Sequence, residues 1–129
     1  MPKLIKEPKV IASVGTKPKI IKEFFGRFSG NISGVSIAQM HSPKGWEEPG
    51  QRPTFAEYTV VINGQLKVQT EDKKNIIVES GQGVLIEKGE WVKYSTPNMD
   101  TNYVAVCIPA FSNKTVNRDR QIKYSNTRL

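Results

Sequence analysis

Histidine and cysteine are almost missing from this chain: each occurs once, as His41 and Cys107. A single cysteine excludes an internal disulfide, and without a Cys-His cluster there is no structural zinc site of the usual kind. Long apolar runs are missing too. No stretch approaches the ~20 residues that a membrane-crossing helix needs, and the start lacks the charged-then-apolar pattern of a secretory leader. The expectation is a soluble, cytoplasmic protein without a membrane partner. At 129 residues the chain fits one domain, which at this size buries roughly 68 % of the surface its unfolded form exposes.

Acidic residues are scarce only at the ends. The formal charge is +7, but residues 1–30 and 111–129 hold 12 of the 19 Lys/Arg and 3 of the 12 Asp/Glu, so the middle is slightly acidic. A nucleic-acid binder shows a basic stripe on a recognisable motif. Here the charge sits in terminal segments such as "NRDRQIKYSNTRL", which read as solvated ends. Nucleic acid is therefore not the expected partner.

What the chain has is β-type periodicity. "FAEYTVVING", "QLKVQT", "NIIVES", "GVLIEKG", "WVKYST" and "NYVAVCIPAF" are short, rich in Val, Ile, Tyr and Thr, and bounded by Gly, Pro, Asn and Asp. "VSIAQM" reads as a further strand and "VIASV" as another. Asn63-Gly64 between two such runs predicts a hairpin, because both residues tolerate positive φ. "TEDKKNI" predicts a second hairpin loop and "ESGQGV" a third turn. Turns every 8–12 residues or so indicate an all-β barrel or sandwich. "IIKEFFGRF" places Ile20, Ile21, Phe24, Phe25 and Phe28 on one helical face but is cut by Gly26; it reads as a one-turn helix or an edge segment. Its phenylalanines need cover, either from their own barrel or from a second copy in a homodimer.

Two spaced motifs give this barrel a family likeness. Gly45 is followed after five residues by Gln51 and Pro53, then after three by Glu57 and after six by Gly64; Gly81 and Gly89 mark a second pattern that continues to Val92 and Thr96. The chain thereby resembles the cupins, whose first motif has histidines at the places of Gln51 and Pro53 and whose second has proline, histidine and asparagine at those of Glu87, Val92 and Thr96. The resemblance implies an all-β double-stranded β-helix, or jelly-roll barrel. It implies a core over about 33–111, an N-terminal extension over 1–32 and a C-terminal tail, 112–129, running over the surface. In a typical cupin three histidines and the glutamate bind Fe, Mn, Ni or Zn. Only Glu57 is kept here, and a lone carboxylate with an amide holds such metals poorly, so no metal and no other cofactor is expected.

The expected function is binding of a small organic molecule inside the barrel. At the start of a strand Glu57 shares a face with Thr59 and Val61; a buried carboxylate without a metal has its pKa raised toward neutrality, where it can act as general acid or base, and the alternative is a structural pair with Arg52 or a tyrosine. Tyr94, two residues past the vanished histidine, and His41 are the candidate assisting groups. Gln51, Trp46, Trp91, Tyr103 and Cys107 are candidate ligand-binding residues, although alternation alone leaves open which face of the 103–108 strand is inside. Glu47, Glu48, Glu87 and Glu90 lie in predicted loops and are expected to face water. If the protein is an enzyme, metal-independent isomerisation, dehydration or lyase chemistry fits these groups best. A non-catalytic ligand-binding or sensor module fits the lost histidines as well, and a metal-dependent cupin with altered ligands, such as His41, Gln51, Glu57 and Cys107, is the third reading.

Overall fold

The computed structural model describes residues 1–119. Strict alternation builds most of it. In β5 (Ala56–Asn63), Glu57, Thr59 and Val61 are buried while Tyr58, Val60 and Ile62 are exposed, the period of two that one covered face imposes. The same pattern runs through β3 (Ser36–Ser42), β9 (Val92–Thr96) and β10 (Thr101–Ile108). Together with β1 (Lys9–Ile11), β2 (Ile20–Phe25) and β8 (Gly83–Ile86), strands β3, β5 and β10 form a six-stranded antiparallel sheet in the order β1-β2-β3-β10-β5-β8. A four-stranded sheet, β4-β9-β6-β7, faces it, with β4 at Trp46–Glu47, β6 at Gln65–Thr70 and β7 at Asn75–Glu79. Two antiparallel sheets closed over one core make the jelly-roll barrel. No helix among the described residues is long and apolar enough to cross a membrane.

The turns behave less simply than their residues suggest. "TEDKKNI" is a true hairpin loop, joining β6 to β7 in one sheet. Asn63-Gly64 is not. It links β5 of the large sheet to β6 of the small one, because β5 finds its partners in β10 and β8 and β6 finds its own in β9 and β7. Gly64 carries φ 101° and packs so tightly that a Cβ there would lie 2.6 Å from the Asp100 carbonyl oxygen. The turn chemistry is real, but it serves a crossing between sheets. Residues 80–82 make a comparable crossing from β7 to β8.

Segments on both sides of the 33–111 core join the barrel among the described residues. "IIKEFF" is strand β2, followed by a one-turn helix, α1 (Arg27–Gly30), so the segment supplies both alternatives in succession. The buried Glu23 carboxylate accepts the backbone N–H groups of Phe28 and Ser29 at 3.0 and 2.9 Å and ties that turn down. The described part of the tail, residues 112–119, is anchored to the barrel. Residues 115–119 run beside 50–54, with hydrogen bonds from Thr54 N to Thr115 O, Arg52 N to Asn117 O and Asp119 N to Gly50 O. Val116 is buried with Phe55 and Cys107, and Phe111 packs between Phe55 and Phe28. Two apolar anchors suffice to hold a segment that has no periodicity of its own. Residues 120–129 of the expected tail lie outside the described residues.

Candidate functional site

The barrel interior is dry at one end and polar at the other. Val61, Leu66, Val68, Val78, Ile86 and Val92 fill the dry end. Toward the other end of β5 the inward positions become Thr59 and Glu57, and around them lies a cavity of about 70 Å³. Strand β10 turns Tyr103, Ala105 and Cys107 into this cavity, which settles the face that alternation left open.

Glu57 is buried, and the Tyr94 hydroxyl donates to its Oε1 at 2.8 Å. Burial raises the Glu57 pKa, and the Tyr94 hydrogen bond and the Lys19 charge offset part of that rise. The Tyr94 phenol is pushed well above its ordinary value by burial and by the neighbouring Glu57, so it stays a proton donor. Burial and the Glu57 charge likewise raise the Cys107 thiol, which makes it a neutral wall group and not a nucleophile.

A second carboxylate stands beside it. Glu48, expected in water, is buried and lines the same cavity. The cause is a bulge. Segment 46–51 runs antiparallel to β9, pairing Glu47 with Ser95 and Gln51 with Val92, so three residues on this side face two on the other. An extra residue resets the alternation, and both Glu48 and Gln51 point inward although they are an odd number of positions apart. Burial raises the Glu48 carboxyl to about 7, opposed by Lys19, helped by Glu57 and opposed again by Arg118. Glu23 is a third carboxylate in the lining, but its Oε2 is already taken by the N–H groups of Phe28 and Ser29.

Lys19 and Arg118 are the cavity's cations, and neither stands out in the sequence. Lys19 lies just before β2, on the inward side that Ile21 and Glu23 continue. Its Nζ is 3.9 Å from Glu48 Oε1, 4.1 Å from the Trp46 ring centroid and 5.3 Å from that of Tyr103. Burial alone would lower its pKa, but Tyr103, Glu48 and Glu57 outweigh that and hold the ammonium above its ordinary value. Arg118 reaches the cavity from the packed tail.

Other candidates stand elsewhere. His41 is on the outer face of β3, where Nδ1 meets Asn102 Oδ1 at 2.8 Å, so it does not share the cavity with Glu57. Trp91 lines a separate outer hollow with Arg52 and Glu71, and its Nε1 donates to Asp119. Trp46 is fully buried in the core, its Nε1 donating to Val14 O at 3.3 Å; it supports Lys19 and does not line the cavity. Gln51, Tyr94, Tyr103 and Cys107 do line it.

The four places that hold a metal in typical cupins are Gln51, Pro53, Glu57 and Val92 here. The residues present do not fit such an ion. Glu57 is engaged by Tyr94, Glu48 faces an ammonium that would repel a cation, and no group of three His, Cys, Asp or Glu among the described residues is arranged to hold a metal.

Solved structures share this architecture. The polyketide cyclase RemF of Streptomyces resistomycificus superposes with a TM-score of 0.74 at 15 % identity, covering 95 % of this chain and 88 % of its own. The oxalate decarboxylase of Bacillus subtilis gives 0.70 at 14 %, over 88 % of this chain and 30 % of the other. The EutQ protein of Clostridium difficile gives 0.61 at 20 %, over 72 % and 64 %. No family model matches. A curated relative, the endoribonuclease YbeY of Myxococcus xanthus, is 36 % identical over 94 residues, 72 % of this chain and 32 % of that one. This chain thus spans about a third of that relative's length, and the name belongs to the whole longer protein. The chain has the cupin fold. Within that fold it is a barrel whose usual imidazole places carry other residues and whose cavity gathers Glu48, Glu57, Lys19, Arg118 and two tyrosines.

Proposed function

We propose that the chain binds a small organic molecule in the polar end of its barrel and moves a proton on it with its own side chains. The observation that supports this most is Glu57, buried in the cavity wall and held by Tyr94 at 2.8 Å. A base must be aimed before its pKa matters, and the Tyr94 hydroxyl holds one oxygen of this carboxylate, leaving the other for a substrate. In the reaction Glu57 removes a proton from a carbon next to a carbonyl group, the electron pair of that C–H bond passes to the carbonyl oxygen, and the proton returns at the same or a neighbouring carbon. Glu48, raised to about 7, supplies a second exchangeable proton near neutral pH, and two carboxyls with different environments divide acid and base roles. Isomerisation, dehydration and lyase reactions share this first step.

The test is deuterium incorporation from heavy water into small keto acids, followed by NMR in the presence of a chelator. Wild type is expected to exchange the carbon-bound protons, and Glu57→Gln to bind without exchange. Equal exchange by Glu57→Gln, or exchange only after a metal is added, rejects the proposal; binding without exchange by wild type points to a ligand-binding module instead.

The same chain is inferred to form a homodimer through the outer face of its larger sheet. Tyr58, Val60, Ile62, Leu85 and Ile108 are exposed there on three adjacent strands. Outward positions of these strands carry no charge, and a second copy offers the same uncharged, flat surface across a two-fold axis. Val60→Lys is expected to shift sedimentation from dimer to monomer; a monomeric wild type rejects the inference.

A further inference from the structure

We propose that the Lys19 ammonium is the resident cation of this cavity and binds the carboxylate of a small organic acid, a charge role that a metal ion fills in other barrels of this fold. The inference rests on the small-molecule reading above and names the chemical class of the molecule.

Four observations on the cavity carry it. The Lys19 side chain is only 6 % exposed, and a lysine is seldom so buried unless it is paired. Its nearest carboxylate does not hold it fully: 3.9 Å from Nζ to Glu48 Oε1 is well beyond the ~2.7–2.9 Å of a direct charge-assisted hydrogen bond. The Trp46 face attracts the ammonium without consuming an N–H group, and the Tyr103 hydroxyl takes one of its three donors, which leaves others for a ligand oxygen. A second cation lies on the same wall. Arg118 lines the cavity, and its buried Nε has no hydrogen-bond partner among the described residues, while Nη1 donates to Asn113 at 3.3 Å. A buried donor without an acceptor is costly, and a ligand carboxylate would satisfy it.

The charge balance points the same way. Burial favours the neutral form of Glu48, whereas Lys19 remains charged. Glu23 is held by two backbone N–H groups and offsets one of the two cations. With the Glu48 carboxyl protonated, the Lys19 ammonium loses its nearest carboxylate, and the carboxylate of a ligand takes that place. Glu48 is the internal competitor: it occupies the ammonium when the cavity is free of ligand and can yield it by taking up a proton.

The experiment uses the full chain with Trp91→Phe, so that fluorescence reports on Trp46, whose ring lies against Lys19. Acetate, pyruvate and succinate are titrated against acetamide, pyruvamide and succinamide. The acids are expected to bind and the amides to bind about thirtyfold or more weakly, as for the loss of a buried charge partner. Lys19→Met is expected to erase that preference and Lys19→Arg to keep part of it. Glu48→Gln, a variant that leaves Lys19 in place should Lys19→Met fail to fold, is expected to bind the acids more tightly. Amides binding as tightly as acids, or Glu48→Gln binding the acids more weakly, overturns the role of Lys19 while the small-molecule reading stands. If none of the six compounds binds, both fail.

Discussion

The two ends of the barrel are made from the same strands and do opposite things. In β5, Val61 lies in the dry end and Glu57 in the polar end, four residues away on the same face. In β9, Val92 packs in the core and Tyr94 donates to Glu57. Apolar inward residues remove surface from water and hold the sheets together. The polar end contributes little to that, since burial disfavours the charged forms of Glu48 and Glu57 by more than their partners return. The fold is thus stabilised at one end, and the other is free to carry chemistry.

Damage to the dry end is the largest expected effect. Leu66 is fully buried at its centre, and Leu66→Ala should cost about 2–5 kcal/mol in denaturant unfolding while leaving the charged cavity in place. A loss below about 1 kcal/mol would mean that the dry end is not what holds the barrel.

The polar end should instead reveal itself through pH. Glu48 has a folded-state pKa raised to about 7 from an ordinary 4.5, so the folded form binds more protons than the unfolded form between those values. Its contribution is fully present below about pH 4.5 and is lost as the pH rises through 7, a difference on the order of 3 kcal/mol. Unfolding free energy measured across that window should fall with rising pH, and Glu48→Gln should flatten the slope. A wild-type profile that is already flat there would place Glu48 in water.

The two ends also differ in how far the residues announce them. Period-two alternation is enough to put Glu57, Thr59 and Val61 on one face and Tyr94 beside Val92, because those strands pair without interruption in that region. Glu48 is hidden by the bulge between Glu47 and Gln51, since an extra residue leaves no mark in composition. Lys19 sits in "TKPKII", which reads as a solvated basic run; only the alternation of Lys19, Ile21 and Glu23 hints at an inward face. Arg118 is hidden in a tail whose only apolar anchors, among the described residues, are Phe111 and Val116, too few to show a period. Asn63-Gly64 shows the converse, correct turn chemistry whose strands pair elsewhere, because long-range partners override a local signal.

Smaller changes sharpen the contrast further. Tyr94→Phe removes the donor that stabilises ionised Glu57, so the Glu57 pKa should rise and the fold should lose about 1–2 kcal/mol, read by NMR titration and thermal unfolding; an unmoved Glu57 would mean the hydrogen bond is not formed in solution. His41→Ala, on the outer face, should change stability by no more than about 0.5 kcal/mol and leave keto-acid exchange intact. Loss of exchange in that variant would bring His41 back into the chemistry.

The most direct measurement is a carbon-detected NMR titration of the glutamate side-chain carboxyls in chelator-treated protein. Two buried carboxylates facing one cavity predict that Glu48 titrates at about 7 and Glu57 above its ordinary value, while a glutamate in a short unstructured peptide serves as the reference. Glu48 and Glu57 titrating together with that reference would contradict a closed, proton-handling cavity at the polar end of the barrel.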